Sequence, residues 1–268
     1  MVNARDLGGL PAGAGRTRPG VLLRSDAPYL GDAHPEGLVW PPATVVDLRD
    51  PAESARSGYP WPGEVEVVSN PLFSGARLDR AVEKPLIDIY RTVMDTAAPR
   101  VVAAIDRYSE SGATVVHCAA GKDRTGIVVA VSLRLAGVAP EAIVEDYQRT
   151  EDAIEQVYHR MRERRRLPAA VEPDHQIFRT PRPAIELVLD RLESAGGAWE
   201  GFEAHGGDRT VWTAGAPASS NPDRRRRPTR PPRNPPLLMK PTASDGGQRR
   251  WVSRKVGVCE GRAGAGLG

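Results

Sequence analysis

Short apolar, β-branched runs at 21–25, 44–49, 65–69 and 113–118 alternate with longer stretches at about 80–96, 99–111, 125–136, 140–166 and 182–195. The short runs have the length of strands buried on both faces, and the longer ones carry apolar residues every three or four positions, as helices packed on a core do. The 140–166 stretch is the clearest helix, with Ile143, Tyr147, Ile154, Val157, Tyr158 and Met161 on one face, Pro140 near its start and Pro168 past its end. Such alternation predicts an α/β fold with a central, mostly parallel sheet flanked by helices. No internal repeat stands out.

One junction in this pattern carries chemistry. The run Thr114-Val115-Val116 leads into His117-Cys118-Ala119-Ala120-Gly121-Lys122-Asp123-Arg124-Thr125-Gly126, and an apolar helix follows to Leu135, stopped at Gly137. Strand, tight loop and helix start together aim unpaired backbone N–H groups and the positive end of the helix dipole into the loop, which suits an anion. Those amides and the nearby cations favour the Cys118 thiolate, a nucleophile able to attack phosphorus in line. Arg124 brings a planar fork for two phosphate oxygens. Gly121 permits close approach of backbone to those oxygens. Thr125 is placed to offer its hydroxyl to the Cys118 sulfur when the thiolate leaves. The competing expectation, a buried inert thiol, fits a lone cysteine better than a ten-residue pattern at a strand–loop–helix junction.

The ten residues resemble the H-C-x-x-G-K-D-R-T-G signature of the bacterial tyrosine phosphatases whose best-known members also accept phosphoserine and phosphoinositides. The similarity spreads outward, over roughly residues 3–205. Asn3-Ala4-Arg5-Asp6-Leu7-Gly8-Gly9 is similar to the family's N-F-R-D-h-G-G opening (h apolar), with Ala4 where an aromatic is favoured. Leu23-Arg24-Ser25 is similar to its R-S strand end, Val45-Val46-Asp47-Leu48-Arg49 with Glu53 to its D-L-R…E segment, and Asp146-Tyr147 to its D-Y pair. The resemblance implies a cysteine-phosphatase-like fold and a metal-independent protein-tyrosine phosphatase working through a cysteinyl-phosphate. Phosphoserine, phosphothreonine and phosphoinositides are further implied substrates. Cys118 is then the nucleophile, Arg124 the phosphate clamp, and Ala119, Ala120, Gly121, Lys122, Asp123 and Arg124 the substrate cradle, supported by His117 and Thr125.

Ester cleavage also needs an acid for the leaving oxygen. Asp88, Asp95 and Asp106 lie on helix-like runs and read as solvated helix faces, while Asp79 is in a loop-like stretch and is the runner-up. Asp123 sits inside the loop, fixed by the same turn as the nucleophile, and the resemblance gives its equivalent an acid role; bracing Arg124 or Lys122 is the structural alternative. Lys122 adds a second cation, which either points outward into solvent or meets a second anionic group of the substrate. The run Arg160, Arg162, Arg164, Arg165, Arg166 closes the long helix, where cations suit the dipole. Its sharper reading is an electropositive rim for anionic lipid headgroups.

The 268 residues carry 37 Lys and Arg against 34 Asp and Glu, but the charge is unevenly placed. Residues 211–268 hold 12 cationic against 3 acidic side chains, +9, leaving 25 against 31, or −6, for residues 1–210. Eight Pro and eight Gly with almost no apolar periodicity mark 211–268 as a disordered basic tail beside a catalytic domain of 1–210. Relatives continue past Gly206 into a final helix reading something like V-L-D-R. The codons GTC CTG GAC CGC, less one base, read GTC TGG ACC GC, which begins Val-Trp-Thr-Ala, and this chain has Val211-Trp212-Thr213-Ala214. A frameshifted read-through is therefore the expected origin of the tail, ahead of a polybasic Arg224–Arg227 contact to lipid or nucleic acid; one intact frame across codons 205–220 on resequencing overturns it.

Only Cys118 and Cys259 occur, which excludes a disulfide framework and fits a working thiol in a reducing cytoplasm. No metal-ligand spacing among the five histidines, no membrane-spanning run and no leader are read, so no cofactor or metal is expected. The expected partners are phosphotyrosine proteins or anionic phospholipid headgroups, not nucleic acid. Rival readings are a rhodanese-like sulfurtransferase, which also places a reactive cysteine on an α/β loop, and a catalytically dead phosphate-binding module.

Overall fold

The computed structural model describes residues 1–72, 84–109 and 111–209. The 211–268 tail and Asp79 lie outside the described residues.

Four strands run parallel at the centre of the fold. β4 (Leu22–Ser25), β5 (Thr44–Asp47), β6 (Glu66–Ser69) and β7 (Thr114–His117) form a sheet with the short antiparallel β1 (Arg5–Asp6), in the order β1-β4-β7-β5-β6. A separate two-stranded ribbon pairs β2 (Pro11–Ala12) with β3 (Gly15–Arg16). β4, β5 and β7 are buried along their whole lengths, as parallel strands covered on both faces must be. Leu22, Val46 and Val116 belong to the main core, with helices against them, while Leu23 and Val115 turn to a smaller cluster beneath Leu38 and Trp40. β6 is an exposed edge, with Val67 half in solvent.

The helices are α1 (Pro51–Ser54), α2 (Leu86–Thr96), α3 (Ala98–Ile105), α4 (Asp123–Leu135), α5 (Pro140–Gln148), α6 (Ile154–Glu163), α7 (Arg182–Ser194) and α8 (Ala198–Ala204). From Thr125 to Leu135 only Arg134 of α4 is not buried, so this helix is a core element covered all round. It ends in a Schellman turn: Gly137 lies at φ 84°, its N–H bonds to Arg134 O, and Val138 N–H reaches Leu133 O.

The single helix expected over 140–166 is divided. A 3₁₀ turn at Arg149–Ala153 separates α5 from α6. Beside this turn Arg5 Nη2, arriving from β1, donates to the Asp146 carbonyl at 2.7 Å. α6 stops at Glu163 because Arg165 takes a left-handed φ of 53°, so Arg164, Arg165 and Arg166 lie past the helix rather than on it.

Candidate active site

The pairing registers place Ser25, His117 and Asp47 side by side at the carboxyl ends of β4, β7 and β5, the edge at which open parallel sheets bind ligands. The chain leaves the sheet at His117 and enters α4 at Asp123, so residues 118–122 form a loop above that edge. Three of its carbonyls, and that of His117 just before it, are drawn back into the protein. His117 O accepts from Leu48 N (2.9 Å), Ala119 O from Ala27 N (3.0 Å), Ala120 O from Asn3 Nδ2 (3.0 Å), and Gly121 O from Arg24 Nη2 (2.8 Å). In a trans peptide the next residue's N–H points opposite to the carbonyl, so the amides of Ala120, Gly121 and Lys122 turn toward the loop interior. The unpaired N–H groups of the first turn of α4 add to them. Gly121 sits at φ 67°, and a Cβ there would meet Ser25 O at 2.4 Å. The close approach that demands glycine here is to the end of β4.

Behind the loop the motifs that are scattered along the chain meet. Asp146 is buried and accepts from Arg24 Nη1 (2.6 Å) and Arg5 Nε (2.8 Å). Arg5 also donates to Asn3 Oδ1 and Thr150 Oγ1, and Asn3 carries the contact to the loop. Burial pushes the Asp146 carboxyl up, but the two guanidinium groups outweigh it and hold it below the usual range. Burial and the neighbouring Arg24 charge bring Arg5 down to about 10 against the pull of Asp146. Farther out, Asp26 Oδ1 accepts the backbone amides of Val2 and Asn3, pinning the N-terminus under the loop.

Cys118 is buried, and the Arg124 guanidinium that follows it is held by Glu53. Arg124 Nη1 and Nη2 bond to Glu53 Oε2 and Oε1 at 2.6 and 2.9 Å, an end-on pair. Burial disfavours the Arg124 cation, but the Glu53 bonds and the Cys118 charge reverse this and raise its pKa. Glu53 is itself fixed by α1: its side chain accepts from Asp50 N and its amide donates to Asp50 Oδ1, a capping box. Its carboxyl, raised by burial, is brought below the usual range mainly by Arg124. One turn back, Asp47 receives Arg49 Nε and Nη2 and the Ser54 hydroxyl. Burial raises Asp47, yet His117 and Arg49 together hold it at about 2. His117 is buried, which lowers its own pKa against the opposing pull of Asp47.

Asp123 lies at the first turn of α4, with its side chain 30 % exposed. Its Oδ1 accepts from the Tyr90 hydroxyl at 3.0 Å and from Lys122 Nζ, and Tyr90 in turn meets the Tyr147 hydroxyl at 2.8 Å. Lys122 does not point outward: its side chain is 1 % exposed and its ammonium also donates to Arg179 O at 3.0 Å. Thr125 Oγ1 is buried without a hydrogen bond, so the expected donation to the Cys118 sulfur is not made. Glu53 and Tyr90 were missed as site residues from the sequence; only the D-L-R…E spacing hinted at Glu53, and nothing marked Tyr90.

The model of the tyrosine phosphatase family matches residues 1–210. The chain belongs to that family. A Cupriavidus necator protein described as a tyrosine-protein phosphatase is 34 % identical over 166 residues, 54 % of this chain and 59 % of that one. The triple specificity protein phosphatase PtpB of Mycobacterium tuberculosis is 32 % identical over 124 residues, 45 % of each chain. A tyrosine-protein phosphatase of Nostoc commune is 53 % identical over 38 residues, 14 % of this chain and 13 % of its own. The chain thus spans less than two thirds of the length of these relatives.

On this phosphatase scaffold the basic run is mostly tied down. Arg160 bridges Asp26 (2.9 Å) and Asp32 (2.7 Å), Arg164 also reaches Asp32, and the guanidinium groups of Arg160, Arg164 and Arg166 lie 4.5–5.7 Å from the Tyr29 ring centre. These arginines clamp α6 to the segment after β4. The adjoining cluster of Val157, Tyr158, Met161, Val171, Ile177 and Phe178 packs on Ala119 and Ala120. Among the described residues no helix is long and apolar enough to cross a membrane, and no group of three or more His, Cys, Asp or Glu could hold a metal ion.

Proposed function

We propose that the protein is a metal-independent protein-tyrosine phosphatase that acts through a cysteinyl-phosphate. The observation that carries this reading is the loop whose Ala119, Ala120 and Gly121 carbonyls are anchored outward, so that the amides following them converge where a phosphate would sit between Cys118 and Arg124. Because Glu53 takes the end of the Arg124 fork, the clamp on phosphate is the side edge, Nε with one Nη2 hydrogen. In the first step the Cys118 thiolate attacks phosphorus, the ester P–O bond breaks, and the leaving oxygen takes a proton from the Asp123 carboxyl. In the second step water attacks phosphorus, gives a proton to the Asp123 carboxylate, and the S–P bond breaks to restore the thiolate. The amides and Arg124 stabilise the equatorial oxygens in both steps.

Phosphotyrosine is the substrate placed first. The name of the Mycobacterium tuberculosis relative supports a wider range, including phosphoserine and phosphothreonine. Phosphoinositides stand lower, since Lys122, Arg160 and Arg164 are engaged within the protein. A free-thiol nucleophile suits the reducing cytoplasm.

The test is turnover of para-nitrophenyl phosphate and of a phosphotyrosine peptide, with EDTA present, by the wild type and by Cys118→Ser. The serine variant should lose turnover and still bind vanadate. Retention of a tenth of the wild-type kcat refutes nucleophilic catalysis by Cys118, and thiosulfate turnover without phosphatase activity favours a sulfurtransferase. For the acid, Asp123→Asn should lose roughly 10²–10⁴-fold on phosphotyrosine and much less on esters of acidic phenols. A loss that ignores the leaving group means that Asp123 is structural.

A further inference from the structure

Tyr90 is buried in α2, on an element that carries no part of the loop, yet its hydroxyl reaches the carboxylate proposed as the acid. We propose that Tyr90, backed by Tyr147, is a positioning residue that confines the transferable proton of Asp123 to Oδ2. The inference rests on the reading of Asp123 as the acid and adds a residue to it.

The argument is one of donors and lone pairs. Tyr90 has a single proton, and its oxygen lies within hydrogen-bond distance of both Asp123 Oδ1 (3.0 Å) and the Tyr147 hydroxyl (2.8 Å). An ionised carboxylate only accepts. Tyr90 therefore donates to Asp123, and Tyr147 donates to Tyr90. Lys122 Nζ also donates to Oδ1. Two donors from opposite sides of the chain, one at position 90 and one at 122, thus converge on one oxygen, whose lone pairs are filled. The proton that leaves with the substrate oxygen, and the one recovered from water, are then carried on Oδ2. Both tyrosine hydroxyls stay protonated across the working pH range. Burial and the Asp123 charge push Tyr90 well above its usual value, and burial chiefly does the same for Tyr147. The Tyr147 ring is fixed in turn by Gly126, where an added Cβ would lie 3.1 Å from it. The edge-on packing of the two rings, 6.2 Å between centres, completes the brace.

The experiment compares Tyr90→Phe, Tyr147→Phe, Asp123→Asn and Tyr90→Phe/Asp123→Asn on a series of aryl phosphates of graded leaving-group pKa and on phosphotyrosine. Tyr90→Phe should lower kcat roughly tenfold on phosphotyrosine and less than about threefold on the most acidic phenols. The alkaline limb of its kcat/KM profile should move to higher pH, since the ionised carboxylate has lost a donor. Tyr147→Phe should shift both in the same direction by less. In the Asp123→Asn background, Tyr90→Phe should cost nothing further. If the single variant slows every substrate equally and its cost persists in the Asn background, Tyr90 is only structural and the proposal falls. It falls equally if rate and pH limb are both unchanged while Asp123→Asn keeps its leaving-group dependence. Loss of that dependence in Asp123→Asn itself removes the acid reading, and the positioning role with it. Should Tyr90→Phe fold poorly, Tyr147→Phe, which leaves the contact to Asp123 intact, decides by the same two readouts.

Discussion

Asp146→Asn should separate the brace behind the loop from the chemistry in front of it. Asp146 is 2 % exposed and is shared by Arg24, at 1 %, and Arg5, at 11 %. The substitution keeps the shape but removes the one negative charge facing two cations. Breaking a buried pair by removing one partner costs about 3–5 kcal/mol. The amide oxygen can still accept one bond, and Arg5 is partly solvated, so the low end, about 3 kcal/mol, is expected. For a domain of this size each kcal/mol moves Tm by about 2–4 °C, giving a fall of about 6–12 °C by circular dichroism. Activity should fall as well, because Arg24 Nη2 is also the anchor of the Gly121 carbonyl. We expect kcat/KM to drop about tenfold with no dependence on the leaving group. Asp88→Asn, which breaks the exposed Arg91–Asp88 pair, serves as the control and should move Tm by less than about 2 °C. An Asp146→Asn protein that melts within 2 °C of wild type with unchanged kcat/KM would show that the charge cluster neither supports the fold nor tenses the loop.

Three further outcomes follow from the same geometry. Glu53→Gln should reduce kcat/KM by about 10- to 100-fold on every ester alike, since the Arg124 fork loses its charged support; a change below twofold in steady-state assays contradicts this. Gly121→Ala should cost both Tm and activity, because φ 67° and the 2.4 Å approach to Ser25 O admit no side chain without moving the loop; vanadate affinity equal to wild type rules it out. Glu53, Asp47 and Asp146 all have carboxyls held below their ordinary values. Their stabilisation is complete above the unfolded-state values of 4.5 and 3.8 and is lost as pH falls through the folded ones, toward about 2 for Asp47. Thermal melts should therefore drop steadily from pH 5 to pH 2.5, and a flat Tm over that window refutes the linkage.

The loop and its two flanks were legible in the sequence because they are continuous: a β-branched run, five residues and an apolar helix follow one another along the chain, and apolar spacing reports which residues they bury, although the loop's carbonyls find their partners far away in sequence. The parallel sheet was legible for the same reason, and the outer motifs were recognisable as a set although nothing in them states what they touch. What the tertiary structure alone decided is where long-range partners land. Arg124 meets Glu53 across 71 positions, Asp123 meets Tyr90 across 33, and Arg5 meets Asp146 across 141. Arg5 also reaches the Asp146 carbonyl, next to the 3₁₀ turn that divides a helix which periodicity draws as continuous. Lys122 turned inward for a similar reason: its partner, the Arg179 carbonyl, arrives from 57 residues away. Local sequence sets which backbone bonds a segment can make; which distant side chain it meets depends on how the elements pack.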